Sequence, residues 1–440
     1  MPAHQIRAIS VTDLQPQPRN ARTHSKKQIR QIADSIQSFG FTSPILVDEN
    51  YAVLAGHGRL AAAKLIGLHD VPTLVVSGLS EAQKRAYLLA DNKLAEKAGW
   101  DRATLAVELN GLAPLLAEAG LDISLTGFEP AEIDTLMGDL IDPEADPADE
   151  PPPLATKPVS RAGDLWLLGP HRLLCGDARQ DSHFRKLMGS ERAAMVFADP
   201  PYNVSVRSVQ GRGKIKHGDF VMASGEMSKA QFTSFLTDAL TLAARHSVEG
   251  SIHYVCMDWR HLAEILEAGG KVYSDLKNLV VWTKTNAGQG SFYRSQHELI
   301  FVFKNGEGPH TNNFELGQHG RNRSNVWTYA GVNTFRAGRL DELSMHPTVK
   351  PIALVADAMR DCSRRGDIVL DPFMGSGTTI LAAERVGRRA CGLELDPLYV
   401  DAAVRRWQTF TKRDAILKGS RQAFDDVAAA RAYAKARRRK

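Results

Sequence analysis

The chain has few cysteines, and they are spaced too irregularly to suggest a shared site. Four occur in 440 residues: Cys175, Cys256, Cys362 and Cys391. No Cys-x-x-Cys pair or clustered histidine pair accompanies them, so neither a disulfide framework nor a zinc site is expected. We expect no metal site, and free thiols make a reducing cytoplasm the default location.

Long apolar runs are also missing. No stretch approaches the roughly 18 apolar residues that a membrane helix needs, and the first residues, MPAHQIRAIS, lack the apolar core of a signal peptide. Membrane insertion and secretion are therefore not expected. The chain also lacks Gly-Lys-Ser/Thr, which excludes a P-loop for phosphate binding.

Length and charge indicate several domains. A chain of 440 residues exceeds the usual size of one core. Residues 141–153, IDPEADPADEPPP, hold five acids and five prolines, a composition typical of a semi-extended linker. The last ten residues hold six bases and no acid, which suits a polyanion such as DNA or simply a solvated tail. The predicted division is 1–140, linker 141–158, 159–415, and a C-terminal helix with a basic tail at 416–440.

Alternating apolar patterns predict an α/β protein. The N-terminal part reads as helix 26–39, strands around 44–48, 52–55 and 71–76, and helices near 57–66, 80–96 and 104–120. The C-terminal part has strand candidates at 172–175, 195–198, 252–256, 279–282, 299–303, 368–370 and 390–394. Because helical patterns fall between some of these strands, a parallel, doubly wound sheet is predicted.

The segment ADPPYNVSV at 198–206 follows the apolar run AAMVF. Two consecutive prolines cannot extend a hydrogen-bonded ladder, so the strand ends there and holds Asp199, Pro200, Pro201 and Tyr202 at its carboxyl end. Ligands bind at that edge of open α/β sheets. These nine residues alone leave an ordinary strand-ending turn as an alternative.

A second segment, DIVLDPFMGSGTTILAAERVGRRACGLELD, joins a strand, a glycine turn and a helix. Gly375 and Gly377 allow the backbone to approach a ligand closely, and Glu394 follows Gly375 by nineteen residues at the end of the next strand. That interval is typical of an acid that binds ribose hydroxyls. Without a P-loop, a ligand with a ribose but no phosphate fits best, and S-adenosylmethionine is one.

Together, DPPY and DPFMGSGTT closely resemble the amino-group DNA methyltransferases, which modify adenine N6 or cytosine N4. HPTVKP at 346–351 is similar to the family motif at the methionine end of the cofactor, and the motif order resembles the permuted β-type branch. The resemblance implies a Rossmann-like doubly wound sheet, plus a smaller α+β N-terminal domain. It implies S-adenosylmethionine contacts at Asp177, Asp199, Thr348, Lys350, Asp371, Phe373, Gly375, Gly377, Thr378 and Glu394.

The resemblance also implies a mechanism for the DPPY turn. Asp199 and the Pro200 carbonyl accept hydrogen bonds from the target amine, while Pro201 keeps the turn rigid and Tyr202 stacks on a flipped base. The methyl group then passes directly to nitrogen. Asp in the first position favours adenine N6, with cytosine N4 methylation and a non-catalytic DNA-binding regulator as alternatives.

Two polar regions, about 205–230 and 284–345, are predicted to recognise double-stranded DNA in a site-specific, restriction–modification type of reaction. Arginine, lysine and aromatic residues interleave there, which suits phosphate contact and base stacking. Trp282 and Trp327 have a core role as the alternative. The predicted DNA contacts are Arg207, Arg212, Lys214, Lys216, Arg294, Arg321 and Arg323.

The N-terminal segment VLAGHGRLAAAKLIG resembles the ParB/sulfiredoxin-like domain over about residues 5–100. Its box, Gly56, His57, Gly58 and Arg59, binds nucleoside triphosphate phosphates in that family, at a helix start with an arginine clamp. A purely structural or regulatory domain is the alternative. No helix-turn-helix module is expected after it, and the resemblance leaves a homodimer as an open alternative.

Overall fold

The computed structural model describes residues 5–18, 20–138, 149, 152, 154–204, 225–284, 292–314, 323–329 and 350–437. The chain divides into two compact units, Met1–Ile141 and Asp142–Lys440. The first is a small α+β unit and the second an α/β unit with a ten-stranded sheet. Within the described ranges, no helix combines the length and apolar character needed to cross a membrane.

The first unit has a four-stranded sheet in the order β1-β4-β2-β3. Strands β2 and β4 are parallel, and the two outer pairs are antiparallel. The strands are β1 (Ile6–Ser10), β2 (Ile45–Val47), β3 (Val53–Ala55) and β4 (Asp70–Val75). The helices are α1 (Lys26–Phe39), α2 (His57–Leu65), α3 (Glu81–Ala95), α4 (Arg102–Glu118) and α5 (Pro130–Gly138), with a 3₁₀ turn at Ile123–Thr126. All the elements predicted here are present.

Local sequence explains where these helices begin. Ser25 accepts a hydrogen bond from the Gln28 backbone N–H at the start of α1. Ser80 and Gln83 form a reciprocal capping box at the start of α3. Such caps satisfy backbone donors that have no partner in the first turn, and each contributes about 1 kcal/mol to the free energy of unfolding.

The second unit has the strand order β11-β9-β10-β8-β7-β12-β13-β6-β5-β14. Its strands are β5 (Leu165–Leu168), β6 (His171–Cys175), β7 (Ala193–Ala198), β8 (Ser247–Met257), β9 (Asp275–Thr283), β10 (His297–Lys304), β11 (Val326–Thr328), β12 (Ile368–Asp371), β13 (Arg389–Glu394) and β14 (Ile416–Leu417). The five central strands, from β8 to β6, are parallel. Antiparallel β9 and β10 extend one side, and β5 and β14 the other. The prediction of a parallel, doubly wound α/β sheet is confirmed for its centre.

Helices cover both faces of this sheet. They are α6 (Asp181–Met188), α7 (Lys229–Arg245), α8 (Leu262–Val272), α9 (Ile352–Cys362), α10 (Thr378–Val386), α11 (Pro397–Thr411) and α12 (Phe424–Arg437). Side chains alternate between two buried clusters along a strand: Met195 and Phe197 of β7 face one cluster, and Val196 and Ala198 the other. Helices α9 to α12 complete the first cluster and α6 to α8 the second. Burial on both faces explains why the central strands are almost continuously apolar.

Strand connectivity places the two conspicuous sequence motifs side by side. Strand β7, which leads into Asp199, pairs in parallel with β12, which leads into the glycine turn, through Val196 and Leu370. Parallel strands end at the same edge, so both motifs lie at the carboxyl edge of adjacent strands. In the chain, the DPPY turn after β7 comes before the glycine turn after β12. This is the motif order of the permuted β-type branch that the sequence resembles.

Candidate active site

The Asp199-Pro200-Pro201-Tyr202 turn begins directly after β7 ends at Ala198. Pro200 is buried, and the Tyr202 ring packs against the apolar clusters on both faces of the sheet. The Tyr202 hydroxyl lies 2.8 Å from Asp199 Oδ1. Tyrosine is therefore fixed by its ring and its hydroxyl, and the carboxylate of Asp199 is held beside it.

Two acids and two lysines form a buried cluster around this turn. Lys350 Nζ lies 2.7 Å from Asp199 Oδ2 and 3.1 Å from Glu298 Oε2. Lys284 forms an ion pair with the other oxygen of Glu298. The Lys350 side chain is only 4% exposed, so its ammonium depends on these carboxylates for stabilisation. The cluster is formally neutral, which permits four charges to lie at the edge of the core.

Electrostatics distinguish the two acids. Burial raises the pKa of Asp199, with Lys350 opposing that effect and Glu298 reinforcing it. Glu298 is also penalised by burial, but the neighbouring Lys350 and Lys284 lower its pKa to about 2. Glu298 therefore stays ionised over the whole physiological range. The pKa of Lys350 is raised by Asp199 and Glu298 despite its burial, so Lys350 stays protonated.

Asn203, the residue after the tyrosine, fixes the chain that follows. It has φ of 51°, in the left-handed region that asparagine tolerates better than most residues. Its side-chain oxygen accepts hydrogen bonds from the backbone N–H groups of Gly225 and Met227, both at 3.1 Å, and its amide donates to the Met227 carbonyl. Asn203 thereby joins the end of the DPPY turn to the residues that precede α7.

The glycine turn after β12 has the geometry that its sequence predicts. Gly375 and Gly377 have φ of 53° and 88°. A Cβ on Gly377 would lie 2.8 Å from the Ala403 Cβ of α11, so this glycine is needed for packing. A Cβ on Gly375 would meet nothing within 4 Å. Open space therefore lies above Gly375, and close packing lies beneath Gly377.

Carboxylates surround this turn. Glu394 accepts the backbone N–H of Gly375 and that of Asp396, both at 2.8 Å. Asp371 accepts the Phe373 N–H at 2.9 Å and the Thr379 hydroxyl. Burial, the largest effect on each, raises the pKa of Asp371 and of Glu394 to about 7. Both acids shape the loop through backbone amides.

Asp177 lies at the end of the neighbouring strand. The Gly176 N–H donates to the Glu394 carbonyl at 2.8 Å, which joins the ends of β6 and β13. Arg179 binds both oxygens of Asp177, and this pairing lowers the pKa of Asp177 although burial opposes it. The Arg179 guanidinium also lies 5.9 Å from the Phe235 ring centroid, and the Phe235 ring lies 6.0 Å from that of Phe373. An acid and an apolar wall therefore stand on the same side of the glycine turn.

Lys350, which the HPTVKP resemblance assigns to the cofactor, lies at the DPPY turn. Its ammonium contacts Asp199, Tyr202 and Glu298, and the cofactor contact stays a prediction. Thr348, predicted beside it, lies outside the described residues. The Thr378 hydroxyl accepts a hydrogen bond from Arg406 of α11 at 3.1 Å.

Three side chains at this site were not predicted from the sequence. Glu298 and Lys284 belong to the charge cluster, and Arg406 binds the Ser376 carbonyl and the Thr378 hydroxyl beneath the glycine turn. An acid at the start of the apolar strand HELIFVF was the available signal for Glu298, because a buried acid is expensive without a partner. Arg406 gave no such signal, since it lies on a helix with polar neighbours.

The predicted DNA-contacting residues fall into three groups. Arg207, Arg212, Lys214, Lys216 and Arg321 lie outside the described residues. Arg294 is described and lies next to Phe292 and Tyr293, which are 87% and 81% exposed. Arg323 is instead mostly buried: it pairs with Asp361 at 2.9 Å and stacks 4.1 Å from the Trp327 ring. This placement argues against a DNA contact by Arg323 and for a structural role. Trp282 and Trp327 are core residues.

The glycine box of the first unit lies where β3 leads into α2. Gly56, with φ of 102°, immediately precedes the helix, and its position for a Cβ is 3.0 Å from the Arg59 guanidinium. Gly58 is packed against His24 and Ile32. His57 Nε2 accepts the Gln17 N–H at 3.3 Å, and burial lowers the pKa of His57.

Arg59 is the least satisfied member of that box. Its Nε atom is buried and has no hydrogen-bond partner among the described residues. Burial also lowers the pKa of its guanidinium, an effect that Asp91 and Tyr87 oppose.

Among the described residues, no group of three or more His, Cys, Asp or Glu side chains is arranged to share a metal ion.

Family comparison agrees with this two-part organisation. Residues 193–405 match the DNA methylase family of N6 and N4 methyltransferases, and residues 1–93 match the ParB N-terminal domain. The chain therefore combines a domain of the amino-group DNA methyltransferases with an N-terminal ParB-like domain. DNA is the substrate of this family and S-adenosylmethionine its methyl donor, as the sequence predicted.

Residues 103–162 match the ParB-methyltransferase HTH domain, so the expectation of no helix-turn-helix module was wrong. The structure has α4, a 3₁₀ turn and α5 within this range. Helices α4 and α5 pack through a separate small core made of Ala106, Leu109, Ile133 and Leu136. The module was missed because α5 is short and adjoins the acidic, proline-rich stretch.

Individual relatives cover one part or the other. The chain is 47% identical over 73 residues to the ParB-like nuclease domain-containing protein YnaK of Escherichia coli, covering 17% of this chain and 84% of that protein. It is 28% identical over 239 residues to the type II methyltransferase M2.DpnII of Streptococcus pneumoniae, covering 51% of this chain and 85% of that enzyme. Among solved structures, the PvuII DNA methyltransferase, described as cytosine-N4-specific, aligns with a TM-score of 0.41 and 16% identity over 57% of this chain and 89% of its own.

Proposed function

We propose that this chain transfers a methyl group from S-adenosylmethionine to adenine N6 at a specific site in double-stranded DNA. The observation that carries the proposal is the position of Asp199 and Tyr202 at the carboxyl edge of β7, directly beside the glycine turn that follows β12. An amine-gripping acid and a nucleoside-type binding loop at one sheet edge suit direct methyl transfer.

The residues around the glycine turn fit S-adenosylmethionine. The space above Gly375 admits a ligand against the backbone, and the residues that follow contain no phosphate-binding lysine. We assign Glu394 to the ribose hydroxyls, Asp177 to the adenine amine and Phe373 to the adenine face. Gly375 and Gly377 shape the loop, Asp371 and Thr378 support it from beneath, and Thr348 and Lys350 stay proposed for the methionine end.

S-adenosylmethionine supplies an electrophilic methyl group at this site. Asp199 and the Pro200 carbonyl accept hydrogen bonds from the two amine hydrogens, which draws the nitrogen lone pair out of the ring. Pro200 and Pro201 fix the backbone of the turn, so the Pro200 carbonyl needs no reorganisation. As nitrogen gains the methyl group it loses one proton, for which Asp199 is the placed acceptor. Tyr202 offers its ring face to the flipped base.

Adenine is preferred to cytosine because the turn begins with aspartate. In the family that this chain resembles, Asp in that position accompanies adenine enzymes, and Ser is common among cytosine-N4 enzymes. The test is mass spectrometry of nucleosides from unmethylated plasmid DNA incubated with the full chain and S-adenosylmethionine. N6-methyladenine as the product supports the proposal. N4-methylcytosine would show that the target base is cytosine, and the absence of any methylated product favours a non-catalytic DNA-binding regulator.

The hairpin between β9 and β10 is proposed to contact DNA next to the active site. Lys284 donates its backbone N–H to the Gln296 carbonyl at 2.9 Å, so the hairpin remains paired up to the catalytic cluster. Phe292 and Tyr293 lie beyond that pair, with ring centroids 4.7 Å apart in an edge-to-face arrangement. Two highly exposed aromatic rings beside Arg294 suit base stacking together with phosphate contact.

We further propose that the N-terminal unit binds a nucleoside triphosphate. The support is the unpartnered Nε of Arg59 at the amino end of α2, beside Gly56. A phosphate there would satisfy the guanidinium and the free amides of the first helical turn. Equilibrium binding of labelled CTP and ATP to the full chain, with Arg59→Ala as the variant, tests it. Binding of neither nucleotide at millimolar concentration would leave this unit a structural or regulatory role.

Cytoplasmic location and homodimer formation complete the proposal. DNA as the substrate, together with four buried free thiols, suits a reducing compartment that contains DNA. Sedimentation of the full chain with and without a DNA duplex distinguishes a monomer from a dimer.

A further inference from the structure

Glu298 is the least expected member of the catalytic cluster. It lies near the start of β10, opposite Trp282 of β9, and its side chain is 15% exposed. Its Oε2 atom is 3.1 Å from Lys350 Nζ and also 3.1 Å from the Tyr202 hydroxyl. One oxygen of Glu298 is therefore within reach of both donors that flank Asp199.

These two donors already occupy Asp199. Lys350 contacts Oδ2 at 2.7 Å, and the Tyr202 hydroxyl contacts Oδ1 at 2.8 Å. The single proton of the tyrosine hydroxyl can be given to Asp199 or to Glu298, but not to both. An incoming amine consequently meets an aspartate whose two oxygens each have a protein donor.

We propose that Glu298 is a positioning residue that takes over Lys350 and Tyr202 when the target amine reaches Asp199. The inference rests on the proposed methyl transfer. Before the base enters, the two donors satisfy Asp199. With the base present, Lys350 keeps only its contact with Glu298, the Tyr202 hydroxyl turns its proton to Glu298, and the amine takes their place on Asp199. Neither donor leaves the cluster in this exchange.

Charge makes both arrangements feasible. An unpaired carboxylate at this depth would be costly, and so would an unpaired lysine. Although burial opposes them, Lys350 and Lys284 lower the pKa of Glu298 and keep it ionised in both arrangements. Glu298 is thereby an acceptor at all times, and Lys350 has a carboxylate partner whether or not Asp199 is engaged with the base.

The experiment compares Glu298→Gln with the matched variant Glu267→Gln, which removes a carboxylate from the exposed Lys271 pair on α8. Transfer of labelled methyl groups to unmethylated plasmid DNA gives kcat and KM, and equilibrium titration gives the Kd for S-adenosylmethionine. We expect kcat to fall about 100-fold in Glu298→Gln, with the Kd within about twofold of wild type and Glu267→Gln unchanged. If Glu298→Gln lowers kcat and also weakens cofactor binding and lowers the melting temperature, Glu298 has a structural role and the proposal is overturned.

A double-mutant cycle with Lys350→Gln tests the exchange itself. If Glu298 acts by holding Lys350 away from Asp199, Glu298→Gln should lower kcat about tenfold less in the Lys350→Gln background than in wild type. Independent effects that multiply would contradict the exchange. These outcomes are separate from failure of the proposed function, because in that case wild-type protein itself would produce no methylated nucleoside.

Discussion

The backbone N–H of Gly375 donates a hydrogen bond to Glu394 Oε2 at 2.8 Å, across an interval of nineteen residues. The glycine begins the turn after β12, and the acid ends β13, the adjacent parallel strand. Because the second oxygen of Glu394 accepts the Asp396 N–H, one carboxylate fixes the ends of two successive strand-to-helix turns. The acid expected to bind a ribose also holds the loop that would receive it.

Gly375→Ala should weaken cofactor binding more than it weakens the fold. The positive φ costs about 1–2 kcal/mol for a residue with a Cβ, and the new methyl group would enter the open space above the turn. Gly366→Ala is the matched control, since Gly366 has φ of 82° and open surroundings at the other end of β12. We expect similar melting temperatures for the two variants, but an S-adenosylmethionine Kd about tenfold higher only in Gly375→Ala, which corresponds to about 1.4 kcal/mol. Equal S-adenosylmethionine Kd values for the two variants would show that the cofactor does not bind in this space.

Stability should fall as pH rises through the neutral range. The pKa values of Asp371 and Glu394 are raised to about 7 in the folded chain, so between about pH 4.5 and 7 the folded state binds more protons than the unfolded state. The free energy of unfolding should therefore be highest below about pH 4 as far as these groups contribute, and decrease by roughly 3–4 kcal/mol per acid up to about pH 8. Urea unfolding from pH 5 to 8 measures this, and Glu394→Gln should flatten the slope while Glu267→Gln does not.

Asp199→Asn should abolish methyl transfer while the fold is retained. The amide keeps the size of the carboxylate, but it loses the negative charge and one acceptor oxygen, so product formation should fall at least about 1,000-fold. Asp275→Asn, which removes an acid from an exposed pair with Lys277, serves as the control. Mass spectrometry of DNA nucleosides measures the product. If Asp199→Asn keeps activity within tenfold of wild type, Asp199 is not the residue that accepts a hydrogen bond from the target amine.

The sequence predicted the parts of the site that depend on short segments. The DPPY turn and the Gly375–Glu394 interval are each contained in a strand and the residues after it, so local spacing was enough. The central parallel strands were equally accessible, because burial on both faces leaves continuous apolar runs. Short strands such as β11 and β14, with three and two residues, carry too little pattern to be recognised.

Glu298 could not be placed from local spacing. It lies 96 residues after Tyr202 in the chain, and only the antiparallel pairing of β10 with β8 and β9 brings it to the site. Arg323 shows the opposite limit, since its polar surroundings suggested DNA, whereas Asp361 and Trp327 enclose it. In both cases the tertiary partner of a charged side chain decided its role.

Arg323 and Arg294 should respond differently to alanine substitution. Removing Arg323 takes a close ion-pair partner away from Asp361, which is 1% exposed, so Arg323→Ala should lower the free energy of unfolding by about 3 kcal/mol. Arg294→Ala should leave stability unchanged, weaken DNA binding and reduce the slope of log K against log salt by about one. Chemical unfolding and fluorescence anisotropy at several salt concentrations measure the two effects. If the Arg323→Ala protein is folded and its slope of log K against log salt is reduced, Arg323 contacts DNA as the sequence predicted.

The exposed rings of Phe292 and Tyr293 should contribute to base flipping. A base that leaves the duplex unstacks its neighbours, and an aromatic side chain can replace the lost stacking at about 1–3 kcal/mol per base. After long-read sequencing has identified the methylated site, a duplex with 2-aminopurine at the target position reports flipping by its fluorescence. The double variant Phe292→Ala/Tyr293→Ala should lose most of the fluorescence increase and weaken DNA binding about tenfold, without a change in S-adenosylmethionine Kd. Leu276→Ala, at the opposite end of the same hairpin and 43% exposed, should behave as wild type. An unchanged fluorescence increase in the double variant would place the flipping element elsewhere.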